Sequence, residues 1–200
     1  MSTREPLEFG RYYHVYNRGN NGQCLFPENR NYPYFLTLYA KYLSSVATTY
    51  AYCLLPNHFH LLLRTMSQKE QKQLKPFEKV IHPSRAFNNM FIAYTKAINK
   101  AHGWTGALFE RPFKRKPVMN EVYFQNLVVY IHQNPQKHGY VTDFRDWKFS
   151  SWGAMQTESS TKLARKDVFD WFGGIQKLEQ AQCVKADEHE IYHLINEDRD

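Results

Sequence analysis

Two imidazoles stand two residues apart in Pro56-Asn57-His58-Phe59-His60-Leu61-Leu62-Leu63-Arg64, a run that otherwise reads as a buried strand. Side chains alternate faces along a strand, so His58 and His60 project to one side while Phe59, Leu61 and Leu63 project to the other. Neutral imidazole is the commonest side-chain metal ligand, and two held on a rigid strand offer part of a coordination sphere without ordering a loop. The structural alternative is a pair of half-buried histidines hydrogen-bonded to a neighbouring element. A bare His-x-His is too short to choose between the two.

A second set of reactive side chains lies further along. Phe124, Leu127, Val128 and Ile131 form the apolar face of a helix, and Tyr123, Tyr130 and Asn134 cluster on its flank at spacings of seven and four residues. If that flank looks onto the rim where His58 and His60 point, two imidazoles, an amide oxygen and a phenol share one site. Such a set can hold a divalent cation and present an oxygen nucleophile beside it. A tyrosine nucleophile suits phosphoryl chemistry, because a metal neutralises the phosphate oxygens and the phosphotyrosine conserves the bond energy for a second transfer. With 14 tyrosines in the chain, a packed aromatic with a hydrogen-bonded hydroxyl is the alternative for any one taken alone.

These groups need elements to position them. Arg11 to Gly19 is aromatic and β-branched and runs into Gly19-Asn20-Asn21-Gly22, which reads as a strand and a turn. Glu28 to Leu43 has helical spacing, Val46 to Leu55 is a second strand, Pro56-Asn57 a tight turn, and His58 to Thr65 the returning strand. Met66 to Pro83 is polar and lysine-rich, and a flexible connection with one helical turn is expected there. Ser84 is the expected N-cap of a helix from Arg85 to about Ala101 that Gly103 ends. Leu108 to Val118 reads as an edge strand because of Pro112 and Pro117, and Asn120 caps the last helix, which Pro135 is expected to stop near Gln133. The order strand, helix, strand, strand, helix, strand, helix is that of the α+β, ferredoxin-like split βαβ fold, a four-stranded antiparallel sheet with helices on one face. Beyond it, Lys162 to Leu194 has helical spacing interrupted by Gly173-Gly174, a C-terminal helical extension.

Charge is unevenly placed along the 200 residues. Lys and Arg outnumber Asp and Glu by 20 to 9 through Trp152, and are outnumbered 10 to 6 beyond it. A basic body implies a polyanionic partner. Cys24, Cys53 and Cys183 are widely spaced and odd in number, which implies neither a disulfide framework nor a cysteine zinc site. No apolar run approaches a membrane span and Met1 to Gly10 lacks a signal-peptide core, so no membrane association and a cytoplasmic setting are expected.

Together these motifs resemble a known family. Pro-Asn-His-Phe-His-Leu-Leu-Leu resembles the histidine-hydrophobe-histidine (HUH) motif of single-tyrosine transposases, and Tyr130-Ile131-His132-Gln133-Asn134-Pro135 resembles their nucleophile helix. Asn134-Pro135, Trp147 to Trp152, Tyr13 to Gly19 and Gly106 to Lys116 resemble the branch associated with repeated extragenic palindromes, the REP-associated tyrosine transposases. The resemblance covers about Arg11 to Trp152, so residues 1–152 are expected to be the HUH transposase-like catalytic domain and 153–200 an extension. It implies that His58, His60 and Asn134 bind Mg²⁺ or Mn²⁺. It also implies that Tyr130 attacks single-stranded or hairpin DNA, leaving a 5′-phosphotyrosine and a free 3′-OH; Tyr123 is second choice as nucleophile.

Arg18, Arg111, Lys114, Arg115 and Lys116 are the expected phosphate contacts, ahead of Arg85 and Lys96, with Phe113 stacking on unpaired bases. His14 and His132 read as structural or supporting groups. Whether Tyr130 serves the histidines of its own chain or of a partner in a homodimer stays open at this level. Three other readings compete with the DNA strand-transferase: a relaxase or replication nickase, a non-catalytic nucleic-acid-binding domain, and a metal-dependent phosphohydrolase.

Overall fold

In the computed structural model the described residues are 5–184 together with Ala186, His189 and Tyr192. The elements run β1 (Tyr12–Arg18), α1 (Asn31–Leu43), β2 (Ala47–Leu55), β3 (His58–Thr65), α2 (Gln68–Leu74), α3 (Pro83–His102), β4 (Lys114–Pro117) and α4 (Glu121–Lys137). Three further helices follow: α5 (Trp152–Met155), α6 (Arg165–Phe172) and α7 (Ile175–Cys183). The strands form one antiparallel sheet in the order β2-β3-β1-β4, the split βαβ arrangement expected from the element order.

Strand alternation sorts the sheet into two cores. Val15, Phe59, Leu61 and Leu63 face α1 and α3, meeting Phe35, Phe87, Phe91 and Tyr94. Leu62, Ala51, Cys53 and Leu55 face the other way, toward Phe124, Leu127, Val128 and Ile131 of α4 and Trp152, Met155, Val168 and Leu178 of the C-terminal helices. The helices of the split repeat thus share one face, as the order implies, and α4 with the extension covers the opposite one. That double cover explains why β3 is an almost unbroken apolar run: both of its faces are buried. Each fully buried Leu or Phe contributes roughly 1.5–3 kcal/mol of transfer free energy.

The β2–β3 turn is tied down from outside the hairpin. Leu25 and Phe26 both donate backbone N–H groups to the Pro56 carbonyl, and Gly19 N–H donates to Asn57 O at 2.8 Å. Gly19 has no alternative here: a Cβ at this position would sit 1.8 Å from the Gln23 carbonyl oxygen. The turn that introduces His58 is therefore fixed by the loop after β1.

Several boundaries differ from expectation, each for a local reason. The 66–83 connection holds a full helix, α2, because Ser67 and Glu70 form a reciprocal capping box, and Glu70 also pairs with Arg64. Gln71 then clamps the returning chain, donating to Ile81 O and accepting from Ile81 N. Helix α3 begins at Pro83 rather than after Ser84, and the Ser84 hydroxyl instead accepts from Leu7 N–H at 2.8 Å. The fourth strand shrinks to 114–117, with a single bridge from Gly19 to Phe109 in the segment before it. Helix α4 continues through Pro135 to Lys137. Proline costs one backbone bond, and the burial of Val128, Ile131, Asn134 and Pro135 outweighs it. In the extension, Gly173 and Gly174 do separate two helices, and the end of the expected helical stretch, near Leu194, lies outside the described residues. Among the described residues no helix is long and apolar enough to cross a membrane.

Candidate active site

His58 and His60 project from β3 onto the α4 side of the sheet. Their partners directly across on β1 are Arg18 and Tyr16, and Lys114 of β4 lies opposite Tyr16. A cleft of about 540 Å³ opens over this row, lined by both histidines, Arg18, Lys114, Glu110, His138 and Tyr140 among others.

Each histidine is held through its Nδ1 atom. His58 Nδ1 lies 2.7 Å from Asn57 Oδ1, an acceptor, so His58 donates from Nδ1 and carries its lone pair on Nε2. His60 Nδ1 lies 3.0 Å from His14 Nε2, and both rings are fully buried and stacked. Burial pushes the His60 imidazolium well below its usual range, and burial with the nearby His138 and Arg18 charges lowers His58 to about 4. Both rings are therefore neutral at pH 7, the state in which imidazole ligates a metal.

Helix α4 crosses the same face. The Tyr130 ring meets His60 edge-on at 5.6 Å, within one chain. One turn on, Asn134 is fully buried, with neither Oδ1 nor Nδ2 in a hydrogen bond. Its carboxamide still approaches His58 closely enough to favour the protonated ring, so the contact is a near approach without good hydrogen-bond geometry. A buried amide left in this state costs about 1–3 kcal/mol. Two neutral imidazoles and an unsatisfied amide oxygen are a donor set that fits a divalent cation.

The other expected residues divide. Tyr130 is 2% exposed and lines a different cavity, of about 570 Å³, with Gln133, Lys137 and Gln182, and Lys137 Nζ lies 4.8 Å from its ring. Tyr123 sits two helical turns away toward the N-terminus of α4, packed against the second core. Arg18 and Lys114 line the histidine cleft, and Lys116, opposite His14, shares its face of the sheet. Arg111 and Arg115 line a separate cavity of about 690 Å³ against α3, together with Lys96, so the five cations do not form one patch. Phe113 is buried, packed on Phe87 and Phe91 under the Arg115 guanidinium, and has no face for a base. His132 is structural as expected, bonded to Ser151 Oγ and Gln182 Nε2.

Four residues of the cleft lie outside the expected set of site residues. Asn57 looks like a turn residue only, and Glu110, whose carboxylate pairs with Arg18 at 2.5 Å, sits in a segment with no periodicity. His138 and Tyr140 arrive through the C-terminus of α4. His138 is four residues after Asn134, on the same helical face, and its ring lies 4.8 Å from that of His58. The spacing was readable, provided the helix is carried through Pro135.

No protein-family model matches the chain. Over 105 residues, 52% of the chain, it is 27% identical to a protein of Haemophilus influenzae named "Putative REP-associated tyrosine transposase", and the match spans 57% of that relative's length. Among solved structures it is similar to a REP-associated tyrosine transposase bound to a REP hairpin, with a TM-score of 0.55 and 21% identity, covering 77% of this chain and 83% of the other. The α+β fold is shared with that transposase.

Proposed function

We propose that this chain is a metal-dependent transposase that cleaves and rejoins single-stranded DNA at hairpin-forming sequences through a 5′-phosphotyrosine at Tyr130. The observation that carries the reading is the meeting, on one sheet face, of two neutral Nδ1-anchored histidines with a buried, unsatisfied Asn134 one turn from Tyr130. The likeness in sequence and fold to REP-associated tyrosine transposases supports the same reaction class. The solved relative is bound to a REP hairpin, which supports hairpin DNA as substrate.

In this mechanism His58, His60 and Asn134 would hold Mg²⁺ or Mn²⁺, which would supply neutralising charge at the phosphate oxygens. Arg18 and Lys114, lining the cleft, grip the flanking phosphates. Tyr130 Oη attacks phosphorus, the P–O3′ bond breaks, and the phenolic proton is balanced by the proton taken up at the departing 3′-oxygen. The resulting phosphotyrosine keeps the energy of the ester, so a second 3′-OH can reverse the step and join new ends. The protein's main contribution is orientation, since the nucleophile and its electrophile must be aligned within a few tenths of an ångström. Tyr130 and His60 lie 5.6 Å apart in one chain, which supports a site completed without a second copy.

The test is incubation of labelled hairpin DNA with Mg²⁺ or Mn²⁺, followed by a denaturing gel. Wild type forms a covalent protein–DNA band that needs metal, and Tyr130→Phe and His58→Ala do not. Free phosphate ends with no adduct would favour a phosphohydrolase, and adduct without any rejoined product would favour a nickase.

A further inference from the structure

Helix α4 ends in a way that aims an aromatic ring at the cleft. Gly139, at φ 72°, closes the helix with paired bonds: Gly139 N–H to Gln136 O, and Tyr140 N–H to Pro135 O. This is a glycine C-cap of the Schellman type, and it folds the two residues around the glycine back toward the helix end. Tyr140 consequently lines the same cleft as His58 and His60 while remaining 39% exposed. Its hydroxyl points to Asn57 Oδ1 at 3.4 Å, the oxygen that orients His58.

Behind it stands Trp147, with ring centroids 5.8 Å apart and a tilt of 36°. Trp147 cannot swing away, because its indole N–H donates to Leu54 O at 2.9 Å and its ring packs on Phe149 and Tyr32. An aromatic ring braced by a second ring and partly exposed in the cleft, beside cations and a candidate metal site, has the chemistry of a nucleobase platform. Bases of any identity stack on such a ring, whereas a phosphate gains nothing from it.

We propose that Tyr140, braced by Trp147, is the stacking platform for the unpaired nucleobase adjoining the phosphodiester held at His58, His60 and Asn134. This rests on the DNA reading of the site and assigns a residue that makes no contact with the reacting atoms. Its role is to hold the strand in register by one base.

The experiment uses the full chain carrying Tyr130→Phe, with chelator present, so that only binding is read. Two single-stranded probes of equal length and charge are titrated by fluorescence anisotropy: oligothymidylate, and the same backbone with abasic residues. Thymidylate binding tighter by about tenfold or more is expected, as one stacked base supplies. Adding Tyr140→Ala brings the two affinities close together and leaves that for the abasic probe unchanged, while Tyr140→Phe keeps the gap. The unchanged abasic affinity also serves as the control for folding. A gap that survives Tyr140→Ala, or equal binding of the two probes by the Tyr140 protein, overturns the platform alone. Failure to bind either probe overturns the DNA reading, and the platform with it.

Discussion

His14 Nε2 lies 3.0 Å from His60 Nδ1, at the centre of the sheet, with both side chains fully buried. The pair spans adjacent strands: His14 on β1 lies two residues before Tyr16, the residue directly opposite His60. With Nδ1 of His60 as the donor in this contact, Nε2 is left as the atom that would ligate a metal, and the contact sets the plane in which it points.

Removing that partner should therefore weaken metal binding without touching a ligand. His14→Ala is expected to lower Mn²⁺ affinity by about 10- to 100-fold, as loss of an outer hydrogen bond to a metal-bound histidine does elsewhere. Calorimetric titration of the folded variant reads this directly. Affinity equal to wild type would make the His14–His60 contact a packing feature only.

Asn134 offers a sharper separation of stability from function. Its amide is buried and unsatisfied, so Asn134→Leu should raise the stability of the metal-free protein by roughly 1–3 kcal/mol. The same change should abolish the thermal shift expected on adding Mn²⁺ to wild type. Urea midpoints and melting curves with and without metal make the comparison. Loss of stability without metal would mean that the amide has a partner in the folded state.

Burial lowers the His132 imidazole to about 3, from an unfolded value near 6.5. Below pH 6.5 the unfolded chain takes up a proton that the folded protein refuses, so stability falls as pH drops from 6.5 toward 3. The slope is about 1.4 kcal/mol per pH unit for each such histidine, and His58, lowered to about 4, adds to it down to that value. Urea titrations of chelated protein at several pH values between 7 and 4 should show the decline, and His132→Gln should make it shallower. A flat profile over that range would contradict the neutral, buried state of these rings.

Lys114 and Arg115 are neighbours in sequence on opposite faces of β4, and their deletions should differ in kind. Lys114→Ala is expected to reduce the slope of log affinity for single-stranded DNA against log salt by about 0.7, one phosphate contact. Arg115→Ala should instead lower the melting temperature, because its guanidinium lies 4.3 Å over Phe113 and lines the separate cavity against α3. Equal salt slopes for the two variants would mean that DNA wraps the β4 edge and touches both faces.

Glu110 holds Arg18 at 2.5 Å at the mouth of the cleft. Glu110→Gln should release that guanidinium and increase affinity for single-stranded DNA, with a steeper salt dependence. Weaker binding in Glu110→Gln would assign the carboxylate a positive part in holding the strand.

Sequence alone determined much of this protein. The alternation His58-Phe59-His60 settles that both imidazoles leave one face of β3, because a strand has a period of two. The spacing from Tyr130 to Asn134 settles that phenol and amide share a helix flank. Element order leads to the sheet topology, since the connections are short and each strand must bury its apolar side.

Tertiary structure alone decided which side of the sheet α4 covers, and with it whether tyrosine and histidines meet at all. It decided that β4 splits the basic run Lys114-Arg115-Lys116 across two faces, and that Phe113 is interior. It also carried α4 past Pro135 until Gly139 could turn His138 and Tyr140 into the cleft. A local pattern records which side chains share a face. Which faces then bury one another depends on non-local packing, and that packing outweighed the cost of a proline in a helix.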